Sequence, residues 1–275
     1  MKYSVKYPEE FQGFILVLMN RSILMRFIIL GINVLREAGS IGIFFIHSIY
    51  LCFKKPIKFN YIMKQMEFIG VNSVAVVIIS GGFIGMVLAL QSYHGFRRFG
   101  SEGLVGVTVA LSMTRELGPI LTGLMVAGRA GSAMAAELGT MRVTEQIDAL
   151  TVMALNPVKY LVVPRVIASF IMLPVLTVLS DFVGIAGGYI VGVKLLGINE
   201  GAFINKIIKY LDLEDIYNGL VKAAFFGIIL SVISCYKGFY TKGGAEGVGR
   251  STTEAVVFSC LTILISDYVL TSLMF

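Results

Sequence analysis

The residues of this sequence best suited to chemistry are a charged pair inside an otherwise apolar segment. Arg115 and Glu116 lie within residues 103–128, and Gly118 and Pro119 follow them almost directly. A charge at membrane depth costs about 2.5–3.5 kcal/mol, so such side chains usually face protein or a water-filled cavity. Glycine and proline are expected to kink or break the helix and free backbone carbonyls. The pair therefore indicates either a polar element beside a substrate path or a structural ion pair that fixes the kink.

The composition is that of a membrane protein. Of 275 residues, 56% are hydrophobic and 15% are charged, with a mean hydropathy of +0.83, whereas soluble domains are about 25% charged. Five segments reach the ~20 residues that a bilayer-spanning helix needs. We therefore predict an all-α integral membrane protein with five transmembrane helices. The predicted spans are residues 67–91, 103–128, 166–193, 218–237 and 254–274.

The N-terminal third has two shorter or interrupted apolar segments. Residues 39–53 are apolar but too few to span, which favours an interfacial or re-entrant helix. Residues 11–35 are interrupted by Asn20, Arg21 and Arg26. An amphipathic helix lying in the membrane interface is the preferred interpretation of this segment, and an additional span is the alternative.

The distribution of basic residues predicts the orientation. With five spans, 16 of the 23 lysines and arginines fall on the side of the N-terminus and six on the other side, Lys222 among the six. Because cytoplasmic loops are enriched in Lys and Arg, we expect a cytoplasmic N-terminus and a C-terminus on the outer side. The net charge of +6 thus reflects topology, and we do not expect nucleic-acid binding. On the outer side, residues 201–216 are predicted to form a short amphipathic helix.

Small residues recur at four-residue spacing in two of the predicted spans. Gly81 and Gly85 form one such step, and Gly184, Gly188 and Gly192 form two more. Such faces allow helix backbones to approach closely in lipid. They predict a tight bundle and are also compatible with a dimer.

The predicted cytoplasmic loop between the second and third spans contains a candidate partner-docking helix. Gly139 is expected to end the preceding helix, and Thr144 is then a suitable N-cap. Glu145 and Gln146 would occupy the first turn, where a carboxylate suits the helix dipole. The resulting helix, residues 144–155, fits either a partner-docking element or an ordinary surface helix.

No segment indicates catalysis. Residues 244–251 imitate a phosphate-binding P-loop, but Arg250 stands in place of the lysine and no strand precedes the segment. A structured glycine-rich loop or a helix cap is the better interpretation. His47 and His94 are too far apart in sequence to suggest a site. We predict no catalytic residue, no metal site and no cofactor.

Several motifs, in one consistent order, resemble the MlaE family of lipid-transport ABC permeases. They are Gly82–Gln91, Arg115–Pro119, Ala127–Ser132, Ala136–Gly139, Met141–Leu150, Asn156-Pro157, Pro164-Arg165 and Gly243–Gly249 with Thr252-Thr253. The resemblance implies a permease domain over residues 36–275, with residues 39–53 as a membrane-embedded elbow helix. Residues 1–30 match no motif of the family, and residues 1–35 are predicted to be an N-terminal interfacial segment, with an unusual start to the permease as the alternative.

The resemblance also implies an assembly in the bacterial inner membrane. It would comprise a homodimer of this chain, two cytosolic ATPase subunits that bind the ATP, a STAS-domain protein, and a ring of MCE-domain proteins on the periplasmic side. The substrate would be phospholipid, and the system would contribute to outer-membrane lipid asymmetry.

Two sets of residues acquire roles from the resemblance. The lipid-binding residues would be Leu88, Gln91, Phe99, Arg115 and Glu116. The 144–155 helix would be the coupling helix that contacts the ATPase, through Thr144, Glu145, Gln146 and Asp148.

Two other function classes fit parts of the sequence. One is a secondary transporter driven by an ion gradient, with Arg115 and Glu116 in a proton path. That class usually has internal repeats with matching broken helices, and no second copy of the Arg115–Pro119 motif occurs. The other is a membrane scaffold that recruits a partner through the 144–155 helix, which would not need a charged, kinked span.

Overall fold

The computed structural model describes residues 35–52, 54 and 59–274, and every regular element among them is helical. A helix occupies residues 35–52. Its location in the membrane interface stays a prediction. The predicted interfacial helix over residues 11–35 lies outside the described residues, apart from Leu35. The contacts from His47 onward form one unit, which is described below.

Among the described residues, five helices are long and apolar enough to cross a membrane, which confirms the predicted fold class. They are the first span Phe59–Arg97, the second span Glu102–Val143, the third span Val158–Leu195, the fourth span Leu213–Phe239 and the fifth span Gly244–Met274. Each extends past one or both of its predicted bounds, because backbone hydrogen bonding continues where the side chains become polar.

Local changes of winding interrupt the first three spans. The first span consists of Phe59–Ile69, a 3-10 turn Val71–Ser73 and Val74–Arg97. The second has α-helical parts Val105–Ser112, Gly118–Val126 and Ser132–Val143, separated by π-helical turns Met113–Leu117 and Ala127–Gly131. The third begins and ends in π-helical turns, Val158–Val162 and Ile190–Leu195, around Val163–Tyr189. Two short helices, Gln146–Val152 and Glu200–Tyr210, lie in the connections.

The glycine faces pack within the chain. The first span packs mainly on the third. A Cβ atom at Gly85 would overlap the backbone of Gly184, and one at Gly188 would lie 3.4 Å from the Gly85 carbonyl oxygen. These glycines therefore set the separation of the two helices, as small residues do in lipid.

The fourth span is the central helix of this unit. It packs on the third, the fifth and the second span, and 61% of its most apolar stretch is buried, against 11% for the fifth span. The fifth span therefore presents most of its surface outward. The connecting helix Glu200–Tyr210 is anchored by Phe203, which is 1% exposed and packs with Val105, Val109 and Met113 in one apolar cluster.

Candidate functional site

The charged pair of the second span belongs to a cluster that also draws on the fourth and fifth spans. Lys222 of the fourth span lies at its centre. Its Nζ is 2.8 Å from the Glu116 carboxylate and 3.5 Å from that of Asp267. It also donates to the Thr271 hydroxyl at 2.7 Å and to the Arg115 carbonyl at 3.1 Å. The lysine thus joins three helices at one point.

Arg115 has a separate partner at the start of the fourth span. Its Nη2 is 2.6 Å from Asp215 Oδ1. Asp215 is fixed in turn by a capping box. The Asp212 side chain accepts the Asp215 backbone N–H, and the Asp215 side chain accepts the Asp212 backbone N–H. The arginine is therefore held against a carboxylate whose own position is set by the helix terminus.

The members of the charged cluster (Arg115, Glu116, Asp215, Lys222, Asp267 and Thr271) differ sharply in accessibility. The Lys222 and Asp215 side chains are 0% and 3% exposed, whereas those of Arg115 and Glu116 are 38% and 33% exposed. The second span therefore presents both charges of this pair at an accessible surface, and their counter-ions lie behind them. The ion pairs agree with the structural interpretation of the pair, and its place beside a substrate path stays a prediction.

The winding of the second span explains how both charges reach the fourth span. Arg115 and Glu116 lie in the π-helical turn Met113–Leu117, and Gly118 and Pro119 begin the next helical part. The expected break is therefore a wider turn through which the helix continues. Gly219 permits the close approach, because a Cβ there would overlap the Thr114 carbonyl oxygen.

Of the predicted lipid-binding residues, only Arg115 and Glu116 lie in the charged cluster. Leu88 packs, as Leu117 does, against the apolar cluster that contains Met113. Gln91 is exposed near the end of the first span, and Phe99 is 81% exposed in the turn beyond it. No described side-chain hydrogen bond joins these two residues to the charged cluster. Their lipid-binding role stays a prediction.

Four members of the charged cluster (Asp215, Lys222, Asp267 and Thr271) were not predicted from the sequence. Lys222 was assigned to the outer side, yet it is fully buried inside the fourth span. The count of basic residues by side could not reveal this burial, because the partners of Lys222 lie on other helices. Asp267 and Asp215 were not singled out either. The usable signal was an ionisable residue inside a predicted span, which Lys222 and Asp267 both are.

The predicted coupling residues lie in an exposed loop, but their local structure differs from the prediction. The helix covers Gln146–Val152 and begins after Glu145, which has a left-handed backbone with φ 59°. Thr144 does not cap it. Its hydroxyl donates 2.8 Å back to the Thr140 carbonyl of the preceding helix, so the second span runs through Gly139 to Val143. Gly139 instead gives room to Thr241, whose hydroxyl would lie 3.0 Å from a Cβ there.

The loop helix Gln146–Val152 presents a mixed surface. Glu145 and Gln146 are exposed. Asp148 forms an ion pair of 2.5 Å with Arg142. Val152 and Met153 are 88% and 61% exposed. An apolar end beside exposed polar groups is suited to a protein partner. The P-loop imitation, in contrast, forms the first turns of the fifth span.

A bundle of helices able to cross a membrane, with ionisable side chains clustered between them and an exposed loop helix, is an arrangement typical of membrane permeases. The chain belongs to the MlaE permease family, because the family model matches residues 62–273.

Curated relatives cover most of the chain. It is 50% identical over 250 residues to a probable ABC transporter permease protein of Rickettsia typhi, covering 90% of this chain and 96% of the relative. It is 49% identical over 213 residues to a probable ABC transporter permease protein of Synechocystis, covering 78% and 81%. It is 42% identical over 218 residues to the intermembrane phospholipid transport system permease protein MlaE of Haemophilus influenzae, covering 79% and 84%.

Proposed function

We propose that this chain is the membrane-spanning permease subunit of an ABC transporter that moves phospholipids between the inner membrane and an MCE-domain partner. Membership of the MlaE permease family supports this function, as does similarity to a relative named for intermembrane phospholipid transport. The structural observation that carries it is the accessible Arg115–Glu116 pair, backed by the buried Lys222.

The charged cluster suits a phospholipid headgroup. Binding sites for amphiphiles combine a mainly apolar wall with a few fixed polar groups. In the proposed site, Arg115 and Glu116 face the headgroup, and Gln91 adds a neutral polar group. Leu88 and Phe99 contact the acyl chains. In a homodimer, a second copy of this chain supplies the other half of the proposed lipid-binding site.

The exposed loop couples this chain to ATP hydrolysis on its partner subunits. ATP is hydrolysed on separate cytosolic subunits, which contact Thr144, Glu145, Gln146 and Asp148. The exposed Val152 and Met153 add apolar contact area beside these polar groups. A STAS-domain protein accompanies the ATPase, and a ring of MCE-domain proteins receives or delivers lipid on the periplasmic side. The system contributes to outer-membrane lipid asymmetry.

A charge reversal in the loop tests the ATPase assignment. Glu145→Lys should abolish ATPase co-purification or uncouple ATP hydrolysis from lipid movement. The substitution replaces the exposed carboxylate that the ATPase is proposed to contact with a positive charge. Glu246→Lys is the matched control, since Glu246 is also exposed and lies on the same predicted side. Unchanged lipid movement by Glu145→Lys would overturn the coupling assignment.

The charged cluster also favours one competing function, an ion-gradient-driven secondary transporter. Three carboxylates and two cations clustered among membrane-crossing helices are the kinds of group that a proton path uses. The two functions differ in their energy source. A protonophore would stop lipid movement by a secondary transporter, whereas removal of ATP would stop it in the proposed ABC system.

A further inference from the structure

A cavity lined by none of the charged-cluster residues lies where the first and third spans begin. Its volume is about 380 Å³, and its wall includes Lys54, Tyr61, Asn156, Lys159 and Tyr160. The two spans meet there through a hydrogen bond between the tyrosine hydroxyls, with the ring centroids 5.1 Å apart. We call this the lysine cavity.

The lining combines an apolar wall with a positive charge. Leu51, Val163 and Pro164 supply aliphatic surface, and none of the described residues that line the cavity is acidic. The two lysines therefore give the described part of the lining a net positive charge. The first turn of the third span adds to this charge. Asn156 Oδ1 accepts the Lys159 N–H at 3.2 Å, and the positive end of the helix dipole lies at this turn.

The position of the lysine cavity indicates which kind of anion it could bind. It lies at the ends of two membrane-crossing helices, on the side that the lysine and arginine distribution predicts to be cytoplasmic. Basic pockets between transmembrane helices on that side bind the headgroups of anionic lipids. A volume of about 380 Å³ falls in the range of ~300–1,000 Å³ that small-ligand sites occupy, which suits a headgroup whose acyl chains remain outside.

We propose that the lysine cavity binds the phosphate headgroup of an anionic phospholipid from the cytoplasmic leaflet. Lys54 and Lys159 contact the phosphate, and Asn156 and the tyrosine hydroxyls contact the rest of the headgroup. The acyl chains lie along Val163 and the neighbouring apolar surface. This site is separate from the charged cluster and does not depend on lipid transport.

The test measures lipid binding to the full chain in detergent by native mass spectrometry. The two probes are phosphatidylglycerol and phosphatidylcholine with identical acyl chains. Lys54→Gln/Lys159→Gln should weaken phosphatidylglycerol binding on the order of 20-fold, because each lysine near an anionic lipid contributes about fivefold. Phosphatidylcholine binding should not change. The matched control is Lys64→Gln/Lys242→Gln, which removes two exposed lysines outside the cavity and should change neither affinity by more than about twofold.

Two further arms keep the proposal falsifiable. Lys54→Arg/Lys159→Arg should retain phosphatidylglycerol binding, which separates loss of charge from loss of folding. Inorganic phosphate at the lipid concentration should not displace phosphatidylglycerol. Displacement by phosphate would show a site for small anions, and equal losses in the Gln variant and its control would show unspecific charge attraction. Either result overturns the proposal. Failure of lipid transport alone would overturn the proposed function and leave this site intact.

Discussion

Replacement of Lys222 by methionine is the most informative single perturbation of the charged cluster. The Lys222 side chain is 0% exposed, and its Nζ contacts the Glu116 carboxylate and the Thr271 hydroxyl at 2.8 and 2.7 Å. Methionine would leave Glu116 and Asp267 facing each other without a cation. Removing one partner of a buried ion pair costs about 3–5 kcal/mol. Because Glu116 is 33% exposed and so retains some hydration, we expect about 3 kcal/mol.

The assay is equilibrium unfolding in mixed detergent micelles, followed by far-ultraviolet circular dichroism. Neutralising both acids in the same chain, as Lys222→Met/Glu116→Gln/Asp267→Asn, should recover at least half of the loss, because no uncompensated charge then remains. Lys209→Met, at an exposed position of the connecting helix, should stay within about 0.5 kcal/mol of wild type. A loss below about 1 kcal/mol for Lys222→Met, or no recovery in the triple variant, would refute the reasoning.

Three more predictions concern the packing that positions the site. Gly85→Ala should destabilise the protein by about 1–3 kcal/mol, because its Cβ overlaps the third span, whereas Gly95→Ala on the same helix meets open space and should be neutral or stabilising in the same unfolding assay. Arg165→Met should cost about 1–3 kcal/mol, since its buried guanidinium pairs with a half-exposed carboxylate at 2.8 Å; an unchanged midpoint would contradict this. Phe203→Ala should cost about 3–5 kcal/mol and accelerate proteolysis of the connecting helix, whereas Ile208→Ala, at a residue 74% exposed, should do neither.

The fold was largely predictable because each membrane-spanning helix is indicated by a continuous apolar stretch of sequence. A run of apolar residues must form a helix in lipid to satisfy its backbone, so all five spans followed from composition alone. The glycine spacing correctly indicated close helix packing, now seen between Gly85 and Gly184. The helix ends were less predictable, since Thr144 satisfies its hydroxyl in the helix before it and so extends that helix.

The charged cluster was only half predictable. Arg115 and Glu116 are adjacent and break an apolar run, so they were visible in the sequence. Their partners Asp215, Lys222 and Asp267 lie on two later spans, and nothing in a linear pattern pairs them with the second span. Such pairing is a property of helix arrangement, which depends on close approach at positions such as Gly219.

The central claim is that this permease moves phospholipid with energy from a separate ATPase and uses Arg115 and Glu116 in the lipid path. The most direct measurement is transfer of a fluorescent phospholipid out of proteoliposomes that contain the co-purified complex. The account predicts ATP-dependent transfer that Arg115→Gln/Glu116→Gln abolishes while the ATPase still co-purifies. Transfer that continues without ATP but stops with a protonophore, or full transfer by the double variant, would contradict it.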